Sequence, residues 1–254
     1  MAKFIEGKVL EQHRWSEGLL SLKVESEPIA FEAGQFTKLA LPVDGAMLAR
    51  AYSFVNAPRE GHYEFYYNIV PDGPLTVRLA QLQTGDAIWL APHAAGFLVL
   101  SEVPDAENLW LLATGTGIAP FLSILKSDTV WRRYRRVVLV EAVRHAGELA
   151  YREDMERLKR GHEGCFGAVR FVSREQAPGA LAGRIPQAIL DGRLEAAAGV
   201  ALSAAALMNP SRLATPSRSR SISCARVSDC AAGDLPDGSN LRSKSSVSLA
   251  AIAG

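Results

Sequence analysis

Cysteine is scarce: three in 254 residues, at positions 165, 224 and 230, with no CxxC pair. That leaves no spacing for an iron–sulfur cluster, and a Cys224–Cys230 disulfide is not expected in a reducing compartment. The five histidines, His13, His62, His93, His145 and His162, show no ligand spacing, so no metal is expected. No apolar run approaches the roughly 18 residues that span a bilayer. The N-terminus, Met-Ala-Lys-Phe-Ile-Glu, has no signal-peptide core. A net charge of +1 gives no reason to expect nucleic acid or a membrane surface as a partner. The expectation is a cytoplasmic, monomeric globular protein of one large or two medium domains.

Two rhythms follow one another along the chain. Residues 4–100 carry short apolar or alternating segments, such as residues 19–25, 36–41, 63–70 and 87–90. Turn residues at Gly18, Gly34, Asp44-Gly45, Gly61 and Gly85-Asp86 separate them, a pattern that predicts an antiparallel barrel or sandwich. Residues 75–82 break it, with Leu75, Leu79 and Leu82 on one helical face and Pro74 at the first turn. From Leu109 the rhythm changes. Buried-strand runs at 109–113, 137–140 and 169–172 alternate with helical stretches at 118–125, 148–159 and 186–190. That alternation predicts a parallel sheet of the doubly wound, Rossmann-like kind. After about Ala205 it stops. Residues 201–254 carry six Lys or Arg and three Asp or Glu, a net +3 that leaves −2 for the remainder. This Ser/Arg-rich segment is expected to be a disordered tail.

Three stretches concentrate chemistry. Arg50-Ala51-Tyr52-Ser53-Phe54 places a cation, a phenol and a hydroxyl on one strand. Val70-Pro71-Asp72-Gly73-Pro74-Leu75-Thr76 ends a strand in a turn and opens a helix, whose N-terminus favours phosphate. Together they suit an aromatic ring system carrying a pyrophosphate. Thr114-Gly115-Thr116-Gly117 follows a buried strand and precedes a helix, the context in which a glycine-rich turn lets a phosphate approach backbone. Each residue alone has a plainer reading: a surface arginine paired with a carboxylate, a barrel-wall tyrosine, a serine bonded to backbone.

The motifs and their order resemble the bacterial ferredoxin/flavodoxin–NADP⁺ reductase family. Arg50-Ala-Tyr-Ser is similar to its RxYS flavin motif, residues 70–79 to its pyrophosphate loop and helix, and residues 113–121 to its NADP-pyrophosphate turn. Ser173-Arg174-Glu175 and Gly183-Arg184-Ile185 are similar to its 2′-phosphate region. The resemblance covers residues 1 to about 203 and implies an FAD-binding β-barrel domain over 1–100. It implies an incomplete NADP(H)-binding α/β domain over 101–205, before a low-complexity tail, 206–254.

The resemblance implies FAD contacts from Arg50, Ala51, Tyr52, Ser53, Tyr66, Asn68, Val70, Pro74, Leu75 and Thr76. It implies dinucleotide contacts from Thr116, Val143, Arg144, Ser173, Arg174 and Arg184. Ser53, against the flavin N5 edge, is the expected catalytic residue. Three arginines after successive strands would favour a doubly charged phosphate, hence NADPH over NADH. Glu141 is given no role. The expected activity is hydride transfer from NADPH to FAD and single-electron delivery to ferredoxin or flavodoxin.

The family continues with a strand ending in a CG(N/S)PxM-type segment, a helix and a terminal aromatic, none of which is matched here. A reading-frame shift near Ala205 is the explanation we expect, and it motivates an alternative: a flavin-binding protein with impaired or no reductase activity. The reductase component of an oxygenase system is a further alternative.

Overall fold

A computed structural model describes residues 4–202 and, as backbone, Ala205–Met208. The expectations for residues 209–254, including the disordered tail and Cys224 and Cys230, lie outside the described residues. The chain divides into two units: residues 1–100 with 118–127, and residues 101–117 with 128 onward.

The first unit is built on β1 (Ile5–Arg14), β2 (Leu19–Ser26), β3 (Phe36–Val43), β4 (Ala46–Ser53), β5 (Tyr63–Asn68) and β6 (Ala87–Leu90). Every pairing is antiparallel, in the order β4-β3-β6-β1-β2-β5. The ends of that order meet where Phe54, just past β4, bridges Phe65 of β5, and Val55 N–H donates to Glu64 O at 2.8 Å. The sheet is therefore a closed barrel, which leaves few unpaired strand edges. Alternate residues fill it: Val9, Leu20, Leu22, Val24, Leu39, Leu41, Phe65, Ile88 and Leu90 are all buried. Phe31 stacks on Phe54 at 3.9 Å, capping this core. Gly34, at φ +101°, is fixed by space as well as by backbone: a Cβ would lie 1.9 Å from the Leu98 carbonyl oxygen.

The helix expected over residues 75–82 is shorter, α1 (Thr76–Leu79). The chain beyond it tightens into turns, with Gln81 N–H on Arg78 O and Leu82 N–H on Leu79 O. Leu75 and Leu79 are buried against the barrel core and Leu82 partly so, which keeps the expected apolar face on a shorter helix. The segment 118–127 contributes α2 (Ala119–Leu125), preceded by a 3₁₀ turn over Gly115–Ile118 and begun by Pro120. Its Ser123 hydroxyl donates to Asn56 O at 2.7 Å.

The second unit is a five-stranded parallel sheet, β10-β9-β8-β7-β11. Its strands are β7 (Asn108–Thr114), β8 (Arg136–Val143), β9 (Phe166–Val172), β10 (Leu181–Ala182) and β11 (Ala205–Met208). The uninterrupted apolar runs of β7 and β8 are buried on both faces, as parallel strands under helices require. One face packs Trp110, Leu112, Val138, Val140 and Phe171 against α5 (Ile185–Leu190) and α6 (Arg193–Ala198). Two short helices, α3 (Asp128–Arg133) and α6, were not anticipated.

The helix expected from residue 148 begins later, as α4 (Arg152–Gly161). Residues 146–148 form a 3₁₀ turn instead, and Tyr151 takes a left-handed φ of 53° that interrupts any helix running through it. The strand rhythm also runs one step past Ala205, because Ala205–Met208 pairs with Asn108–Leu111 along β7.

Candidate functional site

The barrel unit presents its polar side chains along β4 and the segment after β5. Arg50 and Tyr52 lie two residues apart on β4, so they project to the same side of the strand. Tyr52 meets Tyr67 of β5 edge-on, 6.0 Å between centroids at 79°. Burial pushes the Tyr52 hydroxyl up to about 12 against the pull of Arg50, so it remains a hydrogen-bond donor at neutral pH. Arg50 is exposed, and its only bond among the described residues is from Nη1 to Ala49 O at 2.8 Å. No described carboxylate pairs with it. The Ser53 hydroxyl likewise has no partner among the described residues.

The loop from Val70 to Thr76 is held by its own side chains. Thr76 Oγ1 accepts the Val70 amide at 3.0 Å and donates to Val70 O at 3.3 Å. The Gly73 amide also donates to Val70 O, at 2.8 Å. A Cβ on Gly73 would stand 2.9 Å from both Thr76 Oγ1 and Val70 Cβ, so the turn admits no larger residue without shifting. Arg78 donates to Pro74 O at 2.7 Å and lies 3.8 Å from Asp44 in the β3–β4 turn, tying α1 to the hairpin that carries Arg50. Among the described residues neither the Leu75 nor the Thr76 amide finds an acceptor, although Leu75 is 2% exposed. Two amides without acceptors among the described residues, an uncompensated guanidinium and a protonated phenol make the site rich in donors and free of carboxylates, which fits a pyrophosphate on an aromatic carrier. Thr76→Val is expected to loosen this loop. At about 1 kcal/mol for the lost bonding, FAD should bind roughly fivefold more weakly, read by flavin fluorescence on titrating the apoprotein.

Sequence reasoning missed the support behind this set. Gln12 Nε2 donates to Leu79 O at 2.7 Å and to Tyr67 Oη at 3.3 Å, linking β1, β5 and α1. An amide on an exposed strand carries no sequence signal for this, because both partners are more than fifty residues away.

In the second unit the chemistry gathers at the carboxyl ends of the strands, where open α/β sheets bind ligands. Thr116 lies in the 3₁₀ turn after β7, partly exposed. Val143 ends β8, and its carbonyl accepts both the amide and the hydroxyl of Ser173, at 3.1 and 3.2 Å. The Arg174 amide donates to Arg144 O at 3.0 Å, so the two arginines hang from one cross-strand frame. Arg184 precedes α5. Arg144, Arg174 and Arg184 are exposed, and none is paired with a carboxylate among the described residues. Cations left uncompensated in this way fit a phosphorylated dinucleotide. Beneath them Glu141, for which no role is expected, is 3% exposed opposite Arg170 of β9. Desolvation raises its carboxyl to about 7, although Arg170 and Arg152 pull it down.

The comparisons bear on these two halves separately. A family model described as an oxidoreductase FAD-binding domain matches residues 8–93, and one described as an oxidoreductase NAD-binding domain matches residues 111–206. The flavodoxin/ferredoxin–NADP reductase of Shigella flexneri is 48% identical over 200 residues, covering 79% of this chain and 81% of its own. The protein of the same name from Escherichia coli K12 is 47% identical over the same shares. This chain belongs to the flavodoxin/ferredoxin–NADP reductase family. Its fold agrees with that of a ferredoxin NADP⁺ reductase from Neisseria gonorrhoeae, solved with bound FAD and NADP. The TM-score is 0.76 at 33% identity, covering 82% of this chain and 85% of that one. Neither oxidoreductase domain model extends past residue 206, five residues before the sequence turns Ser/Arg-rich at Ser211.

Proposed function

We propose that this chain is an FAD-dependent ferredoxin/flavodoxin–NADP⁺ reductase in which the two donor sets described above hold the two nucleotides. Arg50 would fork onto the flavin pyrophosphate, backed by the Leu75 and Thr76 amides. Tyr52 would lie along the ring, with its hydroxyl toward the ribityl chain. Ala51, Tyr66, Asn68, Val70 and Pro74 would complete the contact surface on β4, β5 and the loop. Thr116, Val143, Arg144, Ser173, Arg174 and Arg184 would hold NADP(H), the arginines selecting the 2′-phosphate. Bound FAD would supply the conversion of a two-electron hydride from NADPH into single electrons for ferredoxin or flavodoxin.

The contribution of the protein is positioning and electrostatics, with no nucleophile or metal required. Ser53 Oγ, without a partner of its own, is free to donate at the reacting edge of the ring. The Tyr52 hydroxyl, kept protonated by burial, would be able to donate to the ribityl chain at neutral pH. We read the protein as a cytoplasmic monomer with a soluble carrier as its partner. No described helix is long and apolar enough to cross a membrane.

The observation that carries this reading is the donor-rich, carboxylate-free set on β4 and at the start of α1, found within a span that matches an FAD-binding family. The test is the absorption spectrum of the purified protein before and after adding reduced nucleotide. A flavin band bleached by NADPH and spared by NADH is the expected result, and a colourless protein that refuses FAD would overturn it. The end of the family match at residue 206 favours one second reading, a flavoprotein with impaired turnover. NADPH–ferricyanide activity separates the two, because a yellow protein without turnover would support the second.

A further inference from the structure

The loops that follow β8 and β9 carry two carboxylates among the arginines proposed to bind phosphate. A carboxylate beside an anion site repels its ligand, so the position of each needs a reason. Glu148 Oε2 accepts the amides of Arg144 and His145, at 2.8 and 3.2 Å, and closes its own loop. Glu175 does something different. From the β9 side its Oε1 accepts the amide of Ala146 at 2.6 Å, and its Oε2 lies 3.6 Å from His145 Nδ1.

Three consecutive amides, 144 to 146, are thus taken by side-chain carboxylates. A run of such amides is otherwise a ready anion cradle, so an incoming phosphate is left to the guanidinium groups. Among the described residues Glu175 supplies the one side-chain bond from the β9 loop to the amides of the β8 loop. Beside it run the backbone bonds Ser173 N–H to Val143 O and Arg174 N–H to Arg144 O. The Ala146 bond, ahead of His145, holds the Glu175 carboxyl below the usual carboxylate range, so the latch is charged at neutral pH.

We propose that Glu175 is a positioning residue that latches the β8 and β9 loops through the Ala146 amide, sets Arg144 and Arg174 in one frame, and thereby determines preference for a 2′-phosphorylated dinucleotide. The proposal rests on the reading that those arginines take the phosphate. In this proposal Glu175 acts through the arginines, by way of its bonds to the Ala146 amide and His145.

Calorimetric titration of the FAD-loaded protein with adenosine 2′,5′-bisphosphate and with 5′-AMP tests it. Glu175→Ala should weaken the bisphosphate roughly tenfold, the scale of one charge-assisted bond, and leave 5′-AMP within about twofold. Glu175→Gln, which keeps an oxygen for the Ala146 amide, should recover most of that loss, and the KM for NADPH should follow the same order. Equal loss for both ligands would mean a merely structural role and overturn the latch. Unchanged or tighter bisphosphate binding, or no recovery in Glu175→Gln, would do the same. Arg174→Ala is the control on the underlying reading. If it spares bisphosphate binding, the phosphate assignment and the latch both fall. If it abolishes preference while Glu175→Ala does not, only the latch falls.

Discussion

Glu141→Gln is expected to stabilise the folded chain by about 3 kcal/mol near pH 8 and to change nothing near pH 4. In the wild type the folded carboxyl titrates at about 7 and the free one at 4.5. Below the lower value both states are protonated and the residue is silent. As pH rises through the window between them, the unfolded chain releases a proton that the folded chain keeps. Unfolding is therefore favoured, and stability falls until the folded carboxyl has also ionised. Above about pH 7 the full loss is in place. Glutamine does not titrate, so its curve should be flat where that of the wild type descends. Urea unfolding at the two pH values reads the difference. Arg170, 3.9 Å away, and Arg152 oppose the shift without cancelling it. Arg170 Nη2 is itself buried without a hydrogen bond, so the pair is poorly satisfied. A variant less stable than wild type near pH 8 would show that the arginines outweigh the cost of burial.

Arg50→Ala is expected to weaken FAD binding on the order of a hundredfold while leaving the stability of the apoprotein within about 0.5 kcal/mol. The asymmetry follows from what the side chain touches. Among the described residues it bonds only the carbonyl of its neighbour Ala49, and it is exposed, so folding gains little from it. A pyrophosphate would gain a planar, permanently charged fork that water does not replace. Flavin fluorescence titration and thermal unfolding of the apoprotein check the two halves. Comparable losses in both would place Arg50 in the fold instead of the site. Arg50→Lys, keeping charge without the fork, should fall between.

What the sequence made legible was local. Apolar runs bounded by turns marked β7, β8 and β9, and alternation with glycine and aspartate turns marked the barrel strands except β1, whose many charged and polar residues hide it. Strand-end positions then located Arg144, Arg174 and Arg184 without any contact being known. What it hid depends on partners distant in the chain. Nothing near Glu141 announces that Arg170 will oppose it under helices, and nothing near Gln12 announces Tyr67 and Leu79. The early start expected for α4 failed for a related reason. Glu148 looks like a helical residue, but its carboxylate bonds the amides of residues 144 and 145, and Tyr151 then turns left-handed before the helix can begin. The short α3 and α6 offer too few turns for periodicity to show. β11 is legible only as a partner: its four residues are a strand because β7 offers a free edge in register.

The excursion of residues 118–127 into the barrel unit has a consequence for how the protein is made. Domains commonly fold one after another as they leave the ribosome, the N-terminal one first. Here the first unit is not finished when β6 and the segment to Leu100 have been synthesised. Translation has to continue through β7, a strand of the other unit, before the helix arrives whose Ser123 caps Asn56 and whose Lys126 lies 3.9 Å from the buried Glu64. The strands can close on their own, but the unit as a whole is complete only when a piece of chain encoded inside its neighbour has been made.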